Sequence, residues 1–113
     1  MEKEELLKGI KLIENIRMEL NKREVMPISD NEFSKQYLNR SRSYISVMKH
    51  KQLDISESAL LALYRNLNGL SITWREIAES SSMSTSSRTW HNHLLFKRLS
   101  EVVLSDITAE SIH

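Results

Sequence analysis

This sequence contains very few residues that end helices or form tight turns. Only two glycines and one proline occur among its 113 residues, whereas a β-rich chain of this length needs many more turn residues. No stretch alternates apolar and polar side chains in the manner of a half-buried strand. The sequence therefore predicts an all-α fold of five to six helices, forming a single domain over residues 1–113.

The absence of cysteine and of long apolar segments limits the classes of protein to consider. Without cysteine the chain has no disulfide framework, thiolate zinc site or thiol nucleophile, and its composition fits a reducing compartment. No apolar run approaches the ~20 residues needed to span a bilayer, and the acidic, lysine-rich N-terminus does not resemble a signal peptide. We expect a cytoplasmic protein with no membrane contact.

Residues 30–51 contain two short helical patterns separated by a polar break. The apolar side chains of the first pattern fall on one face and are expected to be buried: Phe33, Tyr37 and Leu38. Asn39 lies where a tight turn requires a residue that tolerates positive φ. Ser41 is a suitable N-cap for the second pattern, residues 42–50. Two short helices joined by a tight turn are therefore expected.

Basic residues are concentrated in this same part of the chain. Residues 33–53 contain five Lys or Arg residues and no Asp or Glu, although the whole chain has a net charge of only +1. The five are Lys35, Arg40, Arg42, Lys49 and Lys51. Arg can pair with guanine, Ser can bond a phosphate or a base edge, and Lys neutralises phosphate. A basic second helix with short hydroxyl side chains therefore suits DNA.

The run Phe33-Ser34, followed by residues 38–46 (LNRSRSYIS), resembles the helix-turn-helix of the phage repressor (Cro and CI-like) class. It is also similar to small uncharacterised bacterial helix-turn-helix proteins with a Phe-Ser start and an Arg-Ser-x-Ser-Tyr second helix. The resemblance covers about residues 30–68 and implies a helix-turn-helix core at 29–68. Ser34 would match the small residue of the first helix, Asn39 the turn glycine, and Ile45 the buried aliphatic residue. Compared with that class, one extra residue separates Ser34 from Ile45.

The resemblance implies sequence-specific binding to double-stranded DNA by a homodimeric transcriptional regulator, with the second helix in the major groove. Three side chains would lie nearest the bases: Arg42, Ser43 and Ser46. Three cations would contact phosphates: Arg40, Lys49 and Lys51. Ser41, or the amides that it caps, would add a contact at the helix terminus. For Tyr44, both core packing and a hydroxyl contact to a phosphate are open.

Packing helices are predicted on both sides of this segment. Residues 4–24 carry a broad apolar stripe with Lys and Glu on the other face, which predicts a helix that covers the core, or else a coiled-coil dimer arm. Ser56 can cap a helix over residues 57–67 that supports the second helix of the central pair. Asn68-Gly69 would end this helix in a left-handed conformation. A connector over residues 70–74 would follow.

Residues 73–105 are predicted to form further helices. Residues 73–96 faintly resemble a second helix-turn-helix with a serine-rich turn, although a mobile loop followed by a helix N-cap is the favoured interpretation. The last helix, at 87–105, carries apolar side chains in nearly every direction, which is more than one intramolecular face absorbs. We expect a homodimer through this helix, or else coverage by the first helix. The tail, residues 106–113, is expected to be frayed.

Enzymatic and metal-binding functions find little support in the sequence. His91 and His93 would lie about 200° apart on a helix, so we expect both imidazoles to face solvent or a partner rather than a metal. No Gly-x-Ser-x-Gly, Walker or dinucleotide-binding motif occurs. We therefore expect no catalytic residue, cofactor, metal or small-molecule substrate.

Two other binding functions compete with DNA binding. The main alternative is a helical protein-interaction adaptor or anti-repressor that binds its partner through the last helix, without direct contact to DNA. Binding to structured RNA is less favoured, because the basic segment lacks aromatic side chains on which unpaired bases could stack.

Overall fold

Helices account for most of the described residues. The computed structural model describes residues 7–22, 28–80 and 86–112, and within them it contains five α-helices and no strand. The helices are α1 (Lys8–Asn21), α2 (Asp30–Gln36), α3 (Tyr44–Lys51), α4 (Glu57–Ser80) and α5 (Ser86–Ile112). The prediction of an all-α fold with five to six helices is confirmed. Over these same ranges, none of the helices has an apolar stretch long enough to cross a membrane.

The chain divides into two compact units, Met1–Leu60 and Leu61–His113. The boundary lies inside α4, so that the first turn of α4 belongs to the first unit together with α1, α2 and α3. The rest of α4 and all of α5 form the second unit. That the two units act as one domain stays a prediction.

α1 buries one apolar stripe in the first unit. Its buried apolar side chains recur at intervals of three or four residues: Ile10, Ile13, Ile16 and Leu20. Leu12, beside Ile13, is buried as well. This spacing is typical of a helix that packs on a core along one face. Of the predicted helical range 4–24, residues 4–6 and 23–24 lie outside the described residues, as does the predicted junction at Pro27.

Gly9 allows α1 to lie close to the segment that precedes α4. A Cβ atom added at Gly9 would lie 2.6 Å from Asp54 Oδ1 and 3.1 Å from Ile55 Cβ. The Asp54 carboxylate is held in this position because its Oδ1 accepts a hydrogen bond of 2.8 Å from the Ile55 N–H. A larger residue at position 9 would therefore displace the Asp54 carboxylate and crowd Ile55.

α4 is longer than the sequence predicts. The expected end at Asn68-Gly69 and the expected connector over residues 70–74 are both wrong, because α4 continues from Glu57 to Ser80 and Gly69 has no positive φ. A glycine inside a helix costs about 1 kcal/mol relative to alanine. Buried side chains on both sides of Gly69 offset this cost: Leu63, Leu67, Ser71 and Ala78.

α5 is also longer than predicted, since it extends from Ser86 to Ile112. The expectation of a frayed tail from residue 106 is therefore wrong as far as Ile112. Three apolar side chains at four-residue intervals are buried: Leu95, Leu99 and Val103. Residues 81–85, which include most of the predicted serine-rich turn, lie outside the described residues.

His93 links α5 to α4 within the second unit. The expectation that its imidazole faces solvent or a partner is wrong, because His93 is buried. Its Nδ1 lies 2.9 Å from the backbone oxygen of Ser71. The Ser71 hydroxyl lies 3.1 Å from the same nitrogen, so two polar atoms of Ser71 contact the imidazole. The Trp90 ring lies against the imidazole, with 4.9 Å between the ring centroids.

Candidate nucleic-acid interface

α2 is a helix of only seven residues, and its N-terminus is stabilised by a complete capping box. The Ser29 hydroxyl accepts a hydrogen bond from the Glu32 N–H at 3.2 Å. In return the Glu32 carboxylate accepts one from the Ser29 N–H at 3.3 Å. Short helices are marginal without such caps and without tertiary packing. Packing comes from Phe33, which is fully buried and stacks on Tyr37 with 4.9 Å between the ring centroids.

The turn between α2 and α3 has the conformation that the sequence predicts. Asn39 adopts a φ of 56°, in the left-handed region where asparagine is tolerated better than most residues. The Arg40 N–H then donates to the backbone oxygen of Ser34 at 3.0 Å, which satisfies a carbonyl at the end of α2. Leu38 is fully buried beside this turn. The three predicted inward positions around it, Phe33, Tyr37 and Leu38, are all buried.

A buried serine on α2 caps α3. The Ser34 hydroxyl donates to the backbone oxygen of Asp30 at 2.9 Å and accepts from the Ile45 N–H at 3.1 Å. Ile45 is the second residue of α3, so its amide is one of those that have no partner within the helix. Ser34 and Ile45 are both fully buried. The bond therefore fixes the start of α3 against α2.

This bond explains why α3 begins later than predicted. The sequence predicts a helix over residues 42–50 with Ser41 as its N-cap, but α3 begins at Tyr44 with Ser43 in the N-cap position. Ser43 makes no side-chain cap bond. Because the hydroxyl of Ser34 supplies the cap from α2, residues 41–43 form an exposed turn instead. One feature of the sequence indicates that α2 caps α3. Ser34 is a small polar residue, and it occupies the position that the resemblance assigns to a buried small residue.

α3 presents one exposed side, which we call the outer face. It consists of Ser43, Ser46, Val47, His50 and Lys51, all exposed. Successive residues of a helix lie about 100° apart, so these five positions share one side and Ile45 lies on the opposite side. Of this set, sequence reasoning had selected Ser43, Ser46 and Lys51 and had missed Val47 and His50. Periodicity counted from the buried Ile45 would have identified both.

Lys49 differs from the other predicted DNA contacts, because it is paired within the chain. Its Nζ lies 3.0 Å from Asp30 Oδ2 and 3.4 Å from Glu14 Oε1. Arg17 completes the group, with Nε 3.4 Å from Asp30 Oδ1 and Nη2 3.2 Å from Glu14 Oε1. The side chains of Arg17, Glu14 and Asp30 are about three-quarters buried, and that of Lys49 is about two-thirds buried. Two carboxylates and two cations thus connect α1, α2 and α3 with no net charge.

Arg40 and Tyr44 lie together at the start of α4. The Arg40 guanidinium lies 5.7 Å from the centroid of the Tyr44 ring and donates to the hydroxyls of Ser56 and Ser58. The Tyr44 hydroxyl accepts a hydrogen bond of 3.1 Å from the Ser56 N–H. Ser56 is the predicted cap of α4, and its hydroxyl accepts from the Ala59 N–H at 3.2 Å. Tyr44 is half-buried, and its hydroxyl is hydrogen-bonded to Ser56 within the chain.

The other three basic residues among the predicted DNA contacts have no carboxylate partner in the described part of the chain. No Asp or Glu there lies within ion-pair distance of Arg40, Arg42 or Lys51. Arg42 and Ser41 are exposed in the turn that precedes α3. Most of the predicted contact residues thus lie on α3 and in the preceding turn. Lys49 also lies on α3, but its ammonium is paired with Asp30 and Glu14.

A family model, described as a family of unknown function (DUF6626), matches residues 13–112. The chain belongs to the DUF6626 family. The match includes the second part of α1 and all of α2, α3, α4 and α5, so the candidate interface of this DUF6626 protein lies entirely inside it. No curated protein and no solved structure matches the chain.

Proposed function

We propose that this DUF6626 protein binds double-stranded DNA in a sequence-specific manner and acts as a homodimeric transcriptional regulator in the cytoplasm. The outer face of α3 is the observation that carries the proposal, because it is exposed and has no acidic side chain. The major groove is about 12 Å wide and accommodates an α-helix. α2 supports α3 from behind, because the Ser34 hydroxyl accepts the hydrogen bond of the Ile45 N–H, so that α3 can present this face as a rigid surface.

The base-contacting residues in this proposal lie in the turn before α3 and in the first turn of α3. Arg42 is exposed and its planar guanidinium can donate two parallel hydrogen bonds to guanine. Ser43 and Ser46 can donate to or accept from base edges or phosphates. His50 adds a further polar group, one turn along the same face.

Arg40 and Lys51 are the proposed phosphate contacts, with Ser41 beside them in the exposed turn. An anion next to Arg40 would also meet the N-terminal end of α4, where helix amides favour negative charge. We assign Lys49 a different role. Since its ammonium is already paired with Asp30 and Glu14, it would position α3 on α1 and α2 and add little to phosphate binding.

The homodimer is proposed from the second unit. Exposed large apolar side chains occur on α4 and α5 of this unit: Leu61, Ile72, Ile77, Trp90, Leu94, Val102 and Leu104. Trp90 and Leu94 lie one turn apart on α5, and adjacent exposed apolar side chains of this kind are typical of a surface that meets a partner. A two-fold dimer also matches the two half-sites that repressor-class proteins bind.

The same exposed side chains support the second candidate, a protein-interaction adaptor. In that case the partner of α5 would be a different protein, and the α3 surface would have no ligand. The two candidates differ in what they predict for nucleic acid, so one binding measurement separates them.

The test is fluorescence anisotropy with a labelled random-sequence duplex, followed by selection of bound sequences from a random library. We expect non-specific binding with a dissociation constant of about 1–100 µM at physiological salt, and tighter binding at lower salt. Arg42→Ala should lose about 1–3 kcal/mol on the selected sequence and much less on random DNA. No binding at low salt and micromolar protein would contradict the proposal and favour the adaptor. Equal losses of Arg42→Ala on both DNAs would contradict the role of Arg42 alone.

A further inference from the structure

Val47 is the apolar member of the outer face of α3. It is 36% exposed, and its backbone N–H donates to the Ser43 oxygen at 2.9 Å, which fixes it in the first turn of the helix. Ser43 precedes it by one turn and Lys51 follows it by one turn, with Ser46 and His50 beside it. A polyanion bound to these polar neighbours would therefore also cover Val47.

The chemistry of valine restricts what such a ligand can offer at this position. Valine is β-branched and keeps one rotamer in a helix, so little side-chain entropy is lost when its contact forms. It has no polar atom, so a contact with a phosphate or with a hydrogen-bonding base edge would leave that group unpaired. Among the groups by which base pairs are distinguished in the major groove, the C5-methyl of thymine is the apolar one.

We infer that Val47 contacts the C5-methyl group of a thymine in the major groove, and that the sequence bound by this protein contains thymine at that position. The inference rests on the proposed function, because it requires α3 to lie in the groove. It adds a specificity-determining residue that makes no hydrogen bond. Arg42 and the serines would select bases through polar edges, whereas Val47 would select thymine through a methyl group.

The experiment uses the duplex selected from a random library by the full chain. Each thymine is replaced in turn by 2′-deoxyuridine, which has the same hydrogen-bonding groups and lacks only the methyl. Affinities are measured for the unchanged protein, for Val47→Ala and for Met18→Ala. Met18 is a matched control because it is an exposed apolar residue of the same unit, on α1.

We expect one thymine per half-site at which the replacement weakens binding about fourfold, as for the loss of one buried methyl group. The same replacement should have a smaller effect with Val47→Ala, which keeps only the Cβ methyl, and should keep its full effect with Met18→Ala. If a sequence is selected but no replacement has an effect, or if the effect is undiminished in Val47→Ala, the inference is wrong and the proposed function stands. If selection enriches no sequence, the proposed function and the inference both fail.

Discussion

A single hydroxyl group, that of Ser34, connects the two short helices at the centre of the first unit. It donates to α2 and accepts from the second residue of α3. Both ends of this connection are fully buried, so water cannot replace a lost partner. At the scale of one residue, the orientation of α3 thus depends on a buried side chain that lies outside the outer face.

Ser34→Ala should lower the free energy of unfolding by about 1–2 kcal/mol, because the Ile45 N–H would be left buried without a partner. Ser46→Ala is the control, since it removes the same hydroxyl from an exposed position of α3 and should change stability by less than about 0.5 kcal/mol. Urea denaturation followed by circular dichroism measures both. Equal stability of the two variants would show that the Ser34 bond contributes nothing.

Lys49 and Lys51 form a matched pair, two residues apart on α3 and different in their surroundings. Lys51→Gln should lower the slope of log affinity against log salt by about one, because Lys51 is the proposed phosphate contact. Lys49→Gln should leave that slope unchanged and lower the free energy of unfolding by about 1 kcal/mol, since Asp30 and Glu14 would lose a cation. DNA titrations at several salt concentrations, with denaturation of both variants, test this. A reduced slope for Lys49→Gln would support the role that the sequence suggested, in which Lys49 contacts phosphate.

At the scale of elements, local sequence predicted the short helices better than the long ones. The positive φ of Asn39 and the inward positions of Phe33 and Ile45 depend on residues a few positions apart, and each is found. The predicted end of α4 at Asn68-Gly69 is wrong. The local preference of glycine for a helix end is weaker than the stabilisation from side chains that are buried along the whole helix. A preference of about 1 kcal/mol does not end a helix that buries several large side chains.

The two glycines should therefore respond in opposite ways to alanine. Gly69→Ala should raise the free energy of unfolding by up to about 1 kcal/mol, because it lies inside α4 and an added Cβ would meet no atom within 4 Å. Gly9→Ala should lower it by about 1 kcal/mol or more, because the added Cβ would lie 2.6 Å from Asp54 Oδ1. Thermal denaturation of the two variants compares them directly. Stabilisation by both substitutions would mean that Asp54 and Ile55 can move away from the added Cβ at no cost.

At the scale of the whole molecule, the proposal requires two copies of the chain. α5 carries four of the exposed large apolar side chains: Trp90, Leu94, Val102 and Leu104. The sequence suggested such a surplus, because apolar residues occur in nearly every direction around this helix. Burial of Leu95, Leu99 and Val103 inside the second unit left these four exposed.

Leu94→Lys should convert a dimer into a monomer. A lysine at this exposed position leaves the isolated chain intact but adds a charge to the proposed dimer surface, which should raise the dimer dissociation constant by about 100-fold. Sedimentation equilibrium measures the mass, with Met18→Lys on α1 as the control. An unchanged mass for Leu94→Lys, or the same decrease for Met18→Lys, would exclude α5 as the dimer surface.

The sequence by itself determined that the chain is helical, and it determined the turn and the inward-facing residues of the central pair of helices. Those features follow from backbone preferences and from periodicity over a few residues. The tertiary structure alone decided that Ser34 caps α3, that Lys49 pairs with Glu14 and Asp30, and that α4 continues through Gly69. The first two depend on residues that lie 11 to 35 positions apart, and the third on burial along the whole helix, so neither local propensity nor spacing could reveal them.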